Sequence, residues 1–384
     1  MKIGFLLESI GLSGGVNVVF EYTSRLKKYG IDVVIITPQK LSESSYSWFP
    51  DYKNLTVTSD EEALSMDFDV LFATFWKTVF RLYKFKAKKY AYYVQSIENK
   101  FFKSKDDEYY NFCELTYLLN LDTITEATWI QKYFKDNYNR EVHLVKNGIR
   151  KENYNEDRVI EKRPGNGIRI LIEGNLDQWF KNIRRTIEIC NKSDCKDIWL
   201  LTSSKVNKME GVNRLFSQVN VKDVAPIYSS CDVLVKLSYV EGMFGPPLEM
   251  FHCGGTAIVY NVSGCEEYMV NGVNSIIVDR DDEEGVINAI NKLKIDKELL
   301  NKLKSNAINT AKSWRNWDDA SKEYSEVLKG LKQENNNLKL LEQLRVVSNI
   351  WERYEINKKN TDLLNSSRML KLYLKMKGIN INIK

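Results

Sequence analysis

The feature that most constrains this chain is a strand–loop–helix–strand unit near the middle of its C-terminal half. The unit begins with the short apolar run DVLVKLS (232–238), whose β-branched residues are typical of a buried strand. A glycine-bearing loop follows, and the pair Pro246-Pro247 suits a helix entry, where a missing N–H costs little. The pair Gly254-Gly255 ends that helix before a second strand-like run, TAIVY (256–260). Such units build a parallel sheet, which binds ligands at the carboxyl ends of its strands.

Two carboxylates, Glu241 and Glu249, stand at the ends of that loop. We expect Glu249 in the first turn of the helix, where a negative charge is favoured by about 0.3–1 kcal/mol, and this effect alone would account for it. Glu241 falls in a glycine-flanked loop, where no such effect applies. A carboxylate accepts hydrogen bonds from two vicinal hydroxyls, and a helix N-terminus attracts phosphate. The pattern therefore predicts a ligand with the layout sugar–diphosphate–ribose.

A glutamate, seven residues and a second glutamate, followed by a helix end of small residues, resembles the donor site of family-four retaining glycosyltransferases with the GT-B fold. The resemblance implies that Glu249 holds the ribose hydroxyls of a nucleotide. It also implies that Glu241 faces the donor sugar together with the backbone amides of Gly242, Met243, Phe244 and Gly245. Family members usually read Glu-Gly-Phe-Gly, whereas this chain reads Glu-Gly-Met-Phe-Gly, so its second glycine comes one place later.

The N-terminus predicts a second nucleotide-type unit. A strand over 2–10 leads into the loop Gly11–Gly15, an apolar helix follows, and a second strand spans 32–37. Gly14 and Gly15 serve either a tight turn that needs glycine dihedral angles or a close approach of backbone amides to a phosphate. The sequence leaves both alternatives open.

Polar residues follow the predicted strand at 90–95, where cleft residues of a parallel sheet are expected. The run YVQSIENKFF (93–102) resembles a subgroup that includes rhamnan- and O-antigen-building rhamnosyltransferases. The resemblance implies that Gln95 and Glu98 line the cleft between donor and acceptor. The alternative is a polar helix cap and a surface acid.

A further match lies in GNLDQWFKN (174–182). Family members usually carry Gly-Arg and then Lys-Asn, and the resemblance implies that the two cations clasp the diphosphate. Lys181 matches the lysine, but Asn175 stands where the arginine is expected, and an amide does not neutralise a diphosphate. Either Arg184 or Arg185 compensates for this, or the site binds phosphate more weakly.

These patterns predict an α/β protein with the GT-B fold, in which two doubly wound Rossmann-like domains face a cleft and a C-terminal helical extension follows. The N-terminal, acceptor-side domain covers 1–148 and the nucleotide-sugar-binding domain covers 149–331, since Asn147-Gly148-Ile149 resembles the family's crossing point. The extension, 332–384, contains Leu338, Leu341, Leu344, Val347 and Trp351 at helical spacing. This face docks on a partner or on the body of the enzyme, and the basic segment 368–377 suits a membrane surface or packing on the enzyme.

The bulk composition excludes some classes. The net charge of +5 is modest and interspersed, which argues against a nucleic-acid partner. Six cysteines without a C-x-x-C pair, and no apolar run of 18 residues, predict a cytoplasmic protein without a membrane span. The two histidines are far apart, and the D-x-D at 279–281 suits a helix cap, so we expect no metal and no cofactor.

The sequence thus predicts a hexosyltransferase-type enzyme. It would move a hexosyl or deoxyhexosyl group from a nucleotide-diphosphate sugar to a hydroxyl of a glycan, a surface polysaccharide or lipid-linked precursor. Transfer would be retaining and metal-independent, with Lys181 and Glu241 as catalytic residues. A GT-B nucleotide-sugar epimerase and a non-catalytic sugar-nucleotide-binding module are the alternatives. Peripheral membrane contact or self-association through 332–384 stays open.

Overall fold

The computed structural model describes residues 1–331 and 337–366. Its N-terminal half contains seven strands: β1 (Lys2–Leu6), β2 (Asp32–Thr37), β3 (Val57–Ser59), β4 (Asp67–Ala73), β5 (Lys86–Val94), β6 (Asp122–Thr125) and β7 (His143–Leu144). They form a parallel sheet in the order β3-β2-β1-β4-β5-β6-β7. The strand order reverses between β1 and β4, which is where such sheets bind ligands.

The C-terminal half contains a second parallel sheet of six strands: β8 (Ile170–Glu173), β9 (Ile198–Thr202), β10 (Arg214–Ser217), β11 (Val233–Lys236), β12 (Thr256–Tyr260) and β13 (Ile276–Val278). Their order is β10-β9-β8-β11-β12-β13, with the reversal between β8 and β11. The central strands are buried over their length because helices cover both faces of the sheet.

Helices connect and cover the strands. In the N-terminal half they are α1 (Gly14–Leu26), α2 (Asp60–Ala63), α3 (Trp76–Val79), α4 (Glu108–Leu118) and α5 (Thr128–Tyr138). In the C-terminal half they are α6 (Ile183–Lys192), α7 (Val224–Ser229), α8 (Gly245–His252), α9 (Glu283–Ile295) and α10 (Lys297–Ser313). Two more follow: α11 (Trp317–Gly330) and α12 (Asn337–Ser366). Within the described residues, none of these helices is long and apolar enough to cross a bilayer.

The chain crosses between the two sheets twice, and the crossings touch. A Cβ on Gly148 would lie 2.3 Å from the backbone of Asn316, so only glycine fits there. Trp314 Nε1 also donates to the carbonyl of Asn147 at 2.9 Å. The helix after this point, α11, packs on the N-terminal domain, where the ring of Tyr324 lies 4.4 Å from that of Tyr22. The domain boundary at 148–149 stays a prediction.

The last described helix, α12, packs on the N-terminal domain through Leu344, Val347 and Trp351. The ring of Trp351 lies 5.2 Å from both Trp76 and Phe80. Of the two alternatives for this face, the structure therefore shows docking on the body of the protein. Leu338, predicted to belong to the same face, is instead 84% exposed. The basic segment 368–377 lies outside the described residues.

Candidate active site

The glycine-bearing loop joins β11 to α8 and ends in a left-handed residue. Phe244 has φ 60° and ψ 54°, a conformation that is costly for a side chain other than glycine. The hydroxyl of Tyr268 donates to its carbonyl and holds the turn. Gly264 approaches from the same side, so closely that a Cβ on it would lie 2.2 Å from the carbonyl oxygen of Gly242. The end of the loop is thus held by contacts within its own domain.

Glu241 is buried at the start of this loop between two lysines. Its Oε2 accepts a hydrogen bond from Lys181 Nζ at 2.7 Å, and Lys236 Nζ lies 3.6 Å from its Oε1. Burial alone would raise the pKa of Glu241, but the two ammonium groups outweigh it and hold the pKa below its usual value. The carboxylate is therefore ionised at neutral pH.

Lys236 is a site residue that the sequence analysis did not single out. It is the last residue of β11, and its side chain is 1% exposed. Its Nζ donates to the carbonyl of Glu173 at 3.0 Å and to Glu173 Oε2 at 2.7 Å. Burial lowers the pKa of Lys236, but Glu173 and Glu241 outweigh it and raise the pKa overall. A single lysine inside an otherwise apolar strand run was the signal for it.

Replacing Lys236 with methionine is expected to destabilise the protein by about 3 kcal/mol. The substitution leaves the buried charge of Glu241 with one cation instead of two, and it removes the lysine that pairs with Glu173. Urea denaturation followed by circular dichroism measures the change. Lys302→Met, on the exposed face of α10, removes the same charge and should stay within about 0.5 kcal/mol of wild type. Equal stabilities for the two variants would contradict the prediction.

Glu249 lies in the second turn of α8, because the helix begins at Gly245. The expectation that it sits in the first turn was wrong, and so the helix dipole does not account for it. Its carboxyl group accepts hydrogen bonds from the hydroxyls of Tyr154 and Tyr228. Burial, and after it the negative charge of Glu173, raise the pKa of Glu249 to about 7. Glu249 is thus poised to change its charge near neutral pH.

Gln95 forms the facing wall, at the carboxyl end of β5. A Cβ on Gly242 would lie 2.2 Å from the carbonyl oxygen of Gln95, so the two domains meet here through backbone atoms. The side chain of Gln95 lies beside Gly15, and its Oε1 is buried without a hydrogen-bond partner among the described residues. Ser96 Oγ donates to the carbonyl of Glu241 at 3.4 Å. The structure therefore brings both glycine loops together around Gln95.

The N-termini of two helices lie near these loops. Gly14 begins α1 and Gly245 begins α8, and no atom lies within 4 Å of a Cβ placed on either residue. The amide of Val16, in the first turn of α1, is already bonded to Ser13 Oγ at 3.3 Å. Pro246 and Pro247 carry no N–H, so Gly245 is the residue in the first turn of α8 whose backbone amide can meet an anionic group.

Glu98 does not line the cleft, and its predicted place was wrong. It is 3% exposed inside the N-terminal domain, where its Oε2 accepts from the amide of Trp76 and from the hydroxyl of Tyr92, both at 2.7 Å. Burial raises its pKa to about 8, although these hydrogen bonds lower it. Its carboxyl group links the start of α3 to β5 through these hydrogen bonds and does not face the cleft.

The amide of Met243 is not free to face a sugar either. It donates to Oε1 of Glu126 at 3.3 Å, across the domain interface. Trp129 Nε1 donates to the carbonyl of Gly242 at 2.9 Å, also across the interface. Neither Glu126 nor Trp129 was predicted, since both lie more than 100 residues away in the sequence. The local signal for Glu126 was its place directly after β6.

The residues expected to replace the missing arginine do not do so in the structure. Arg185 is bound to Glu283 and Glu188 on an exposed face, and Arg184 is exposed on the same helix, α6. Asn175 supports its own loop: its Nδ2 donates to Ser203 Oγ at 3.1 Å. The second cation beside Lys181 is therefore Lys236, from a different strand.

The D-x-D segment at 279–281 bonds to a tyrosine and leads into the cap of α9. Asp281 accepts a hydrogen bond from the hydroxyl of Tyr239 at 2.6 Å, and Asp282 caps the helix through the amide of Gly285 at 2.9 Å. The predicted cap is thus Asp282, one residue beyond the motif. Across residues 1–331 and 337–366, no group of three or more metal-ligating side chains is arranged to hold an ion.

Comparisons with known proteins agree with this architecture. Residues 205–310 match the family model described as Glycosyl transferases group 1. The structure superposes on sucrose-phosphate synthase from Thermosynechococcus elongatus with a TM-score of 0.69 and 16% identity, covering 86% of this chain and 99% of the other. HepE of Anabaena, solved in complex with UDP and glucose, gives a TM-score of 0.69 and 14% identity, with coverages of 86% and 100%. The chain has the GT-B fold.

The predicted fold class is therefore confirmed: both Rossmann-like GT-B domains are present. In sequence, an uncharacterized glycosyltransferase of Methanocaldococcus jannaschii is 22% identical over 265 residues, which is 65% of this chain. That match spans 64% of the length of the relative. The segment matched by the family model contains Lys236, Glu241 and Glu249, so it coincides with the C-terminal wall of the GT-B cleft.

Proposed function

We propose that the protein is a retaining, metal-independent glycosyltransferase acting on a nucleotide-diphosphate sugar and a glycan hydroxyl. The observation that carries this proposal is the pairing of Lys181 with Glu241 beside the open N-terminus of α8, at the switch point of the second sheet. A cation, a helix N-terminus and a carboxylate together match a diphosphate and a sugar. The match to Glycosyl transferases group 1 supports it.

Lys181 would stabilise the departing diphosphate. In the absence of substrate its ammonium group is neutralised by Glu241, and the Lys181 side chain remains 21% exposed. When a donor is bound, the ammonium group of Lys181 would pair with the diphosphate. Negative charge develops on the diphosphate as it departs. The bond from the anomeric carbon to the diphosphate breaks, and the acceptor oxygen bonds to that carbon and gives its proton to the diphosphate. Preorganised charge of this kind is usually the largest single contribution to such a rate enhancement.

Glu241 would then hold hydroxyls of the donor sugar. Lys236 keeps one cation near it after Lys181 turns to the diphosphate, so the carboxylate stays ionised. An ionised carboxylate accepts several hydrogen bonds from vicinal hydroxyls, which orients the anomeric carbon. Gln95 Oε1, buried without a partner among the described residues, offers an acceptor from the opposite domain.

The raised pKa of Glu249 predicts that nucleotide affinity depends on pH. Its pKa is raised to about 7 in the free protein, so it is largely protonated at pH 6 and ionised at pH 8. If the ionised form holds the ribose hydroxyls, nucleotide affinity should rise about 10-fold between pH 6 and pH 8, and binding should release a proton. Calorimetry in buffers of different ionisation enthalpy measures both.

Glu249→Gln is the control for this dependence and should bind nucleotide weakly at both pH values. The same shift has a stability consequence with a definite sign. Because the folded pKa of about 7 exceeds the ordinary value of 4.5, the folded state holds the proton more tightly. The contribution of Glu249 to stability is complete below about pH 4.5 and is lost as the pH rises through 7. A wild-type affinity that is flat from pH 6 to pH 8 would contradict the assignment.

The finer identity of the substrates is also proposed. The resemblance of residues 93–102 to rhamnosyltransferases of surface polysaccharides favours a deoxyhexosyl donor and a lipid-linked or polysaccharide acceptor. The neighbour HepE, solved with UDP and glucose, favours a UDP-hexose. A thermal-shift panel of nucleotide sugars distinguishes the two, since a ligand at 100 times its Kd stabilises a protein by about 2.7 kcal/mol.

Release of free nucleoside diphosphate tests the proposal itself. On mixing with the stabilising donor and a glycan acceptor, diphosphate and elongated glycan should appear in equal amounts. Binding without release would indicate the non-catalytic module instead. Conversion of the sugar without an acceptor would indicate the epimerase. If no nucleotide sugar stabilises the protein, the proposal fails.

A further inference from the structure

A second feature of the N-terminal domain is a basic cavity of about 350 Å³ that the donor site does not use. Its charged lining consists of Lys100, Lys103 and Lys105, and its aromatic lining includes Phe102, Tyr110 and Tyr133. Asn99 and Ser104 complete the wall, so no acidic side chain lines it. The volume is at the lower end of the range of small-ligand pockets and suits a single sugar ring with its substituent.

The three lysines bring positive charge to the cavity, and the acids nearest to its wall bond to other lining residues: Asp106 accepts from Ser104 Oγ at 3.1 Å and Glu114 from Asn99 Nδ2 at 2.6 Å. In the part of the chain that the structure describes, none of them forms an ion pair, whereas Lys132 and Lys135 on the neighbouring helix α5 are both paired with acids. Burial, and then repulsion from Arg280, lower the pKa of Lys100, although Glu266 opposes this. Three unpaired cations around one concave surface attract an anion.

The aromatic rings add a means of holding a sugar. Lys100 Nζ lies 5.0 Å from the ring centre of Trp129 and 5.6 Å from that of Tyr133. Lys103 Nζ lies 5.8 Å from the ring centre of Trp179. Of these rings, those of Trp129 and Tyr133 are partly buried and that of Trp179 is exposed. Of these three rings Tyr133 lines the cavity, together with Phe102 and Tyr110, so aromatic surface for an apolar sugar face lies beside the charge for an anionic substituent.

Two indole groups connect the cavity to the donor loop. Trp129, under Lys100, donates through Nε1 to the carbonyl of Gly242 at 2.9 Å. Trp179, under Lys103, donates to the carbonyl of Phe101 at 2.7 Å. The ring of Phe101 in turn stacks 4.7 Å from that of Phe180, the neighbour of Lys181. A ligand in the cavity is therefore one side chain away from the donor loop.

We propose that this cavity is an acceptor subsite that binds a negatively charged sugar unit, through Lys100, Lys103 and Lys105. The proposal rests on the proposed glycosyl transfer and specifies its acceptor class. The shared chemistry is an anionic substituent on a sugar, a phosphate or a carboxylate. Such a group would hold the acceptor in the cavity. A hydroxyl of the same glycan would then extend past Gly242 to the donor sugar.

Calorimetric titration with glucose 6-phosphate, glucuronate and uncharged glucose tests the subsite without any transfer reaction. We expect one of the anionic sugars to bind at least 10-fold more tightly than glucose, and its identity distinguishes phosphate from carboxylate. The double variant Lys103→Ala/Lys105→Ala should weaken that binding at least 10-fold. The charge-matched control Lys53→Ala/Lys302→Ala, at two exposed lysines elsewhere, should not change it.

Three results would overturn the subsite. One is equal affinity of the anionic sugars and glucose, or no binding of any of them. Another is loss of anionic sugar binding in Lys181→Ala but not in the double variant, which would place the anion at the donor site. The third is binding of phosphatidylglycerol vesicles that depends on Lys103 and Lys105 without binding of the sugars, which would make the patch a lipid surface. Nucleotide-sugar binding is measured separately, so failure of the subsite and failure of the transferase proposal are distinguishable.

Discussion

Lys181→Ala should lower turnover by about 100- to 1,000-fold while the protein remains folded. The expected size corresponds to removing one preorganised charge from a developing anion. Folding should persist because Lys181 is partly exposed and Glu241 keeps Lys236 nearby. Initial rates of nucleoside diphosphate release, with circular dichroism and the thermal midpoint of the same sample, measure both statements. We expect a larger change in kcat than in KM for the acceptor.

Arg184→Ala is the matched control for this experiment. Arg184 follows Lys181 closely in the sequence and is exposed on α6, and its substitution likewise removes one positive charge. Its turnover should stay within about 2-fold of wild type, because exposed charges outside the site contribute little. If Arg184→Ala loses as much activity as Lys181→Ala, a general charge effect is responsible and the role given to Lys181 is wrong.

Glu241→Gln should produce a loss of similar size, about 100-fold or more in kcat/KM for the donor. The amide keeps the shape of the side chain but replaces one acceptor oxygen with an NH₂ group, which faces two lysines. Lys181 and Lys236 then lose a common anion, and hydroxyls of the sugar lose a charged acceptor. The measurement is steady-state kinetics with the donor varied. Glu61→Gln, an exposed acid on α2, is the control and should be indistinguishable from wild type.

The double variant Lys181→Ala/Glu241→Gln separates a working pair from two independent contributions. Residues that act as a unit are strongly non-additive, so the double variant should be little worse than the poorer single variant. Losses that simply multiply would indicate that the hydrogen bond of 2.7 Å between the two side chains has no part in turnover. Near-wild-type rates in both single variants would remove the basis of the transferase proposal.

Local patterns predicted the sheets well. The expected strands at 32–37 and 256–260 have those bounds in the structure, because short β-branched runs between turn residues have few other ways to bury their side chains. The first strand was predicted over 2–10 but ends at Leu6, since pairing with β2 and β4 stops there. Edge strands β3 and β10 were missed because β3 has 3 residues and β10 contains no fully buried residue.

The site was predictable where function depends on spacing along the chain. Glu241 and Glu249 lie on one loop–helix unit, and Lys181 follows β8, so their proximity to the switch point follows from strand order. Lys236, Glu126 and Trp129 were not predicted, because each matters only through a partner on another element. Glu98 was assigned to the cleft from its position after a strand, yet its carboxyl group turns inward to Trp76 and Tyr92.

The sequence by itself determined the two parallel sheets, the glycine loop with an acid at each end, and the lysine after β8. These depend on hydrophobic period and on residue spacing, which are local properties. Only the tertiary structure decided which cation stands beside Lys181, which acids are buried in the core, and which aromatic rings meet Lys100 and Lys103. Ion pairing and burial depend on the distance between side chains in space, and that distance is set only when the two domains have folded and met.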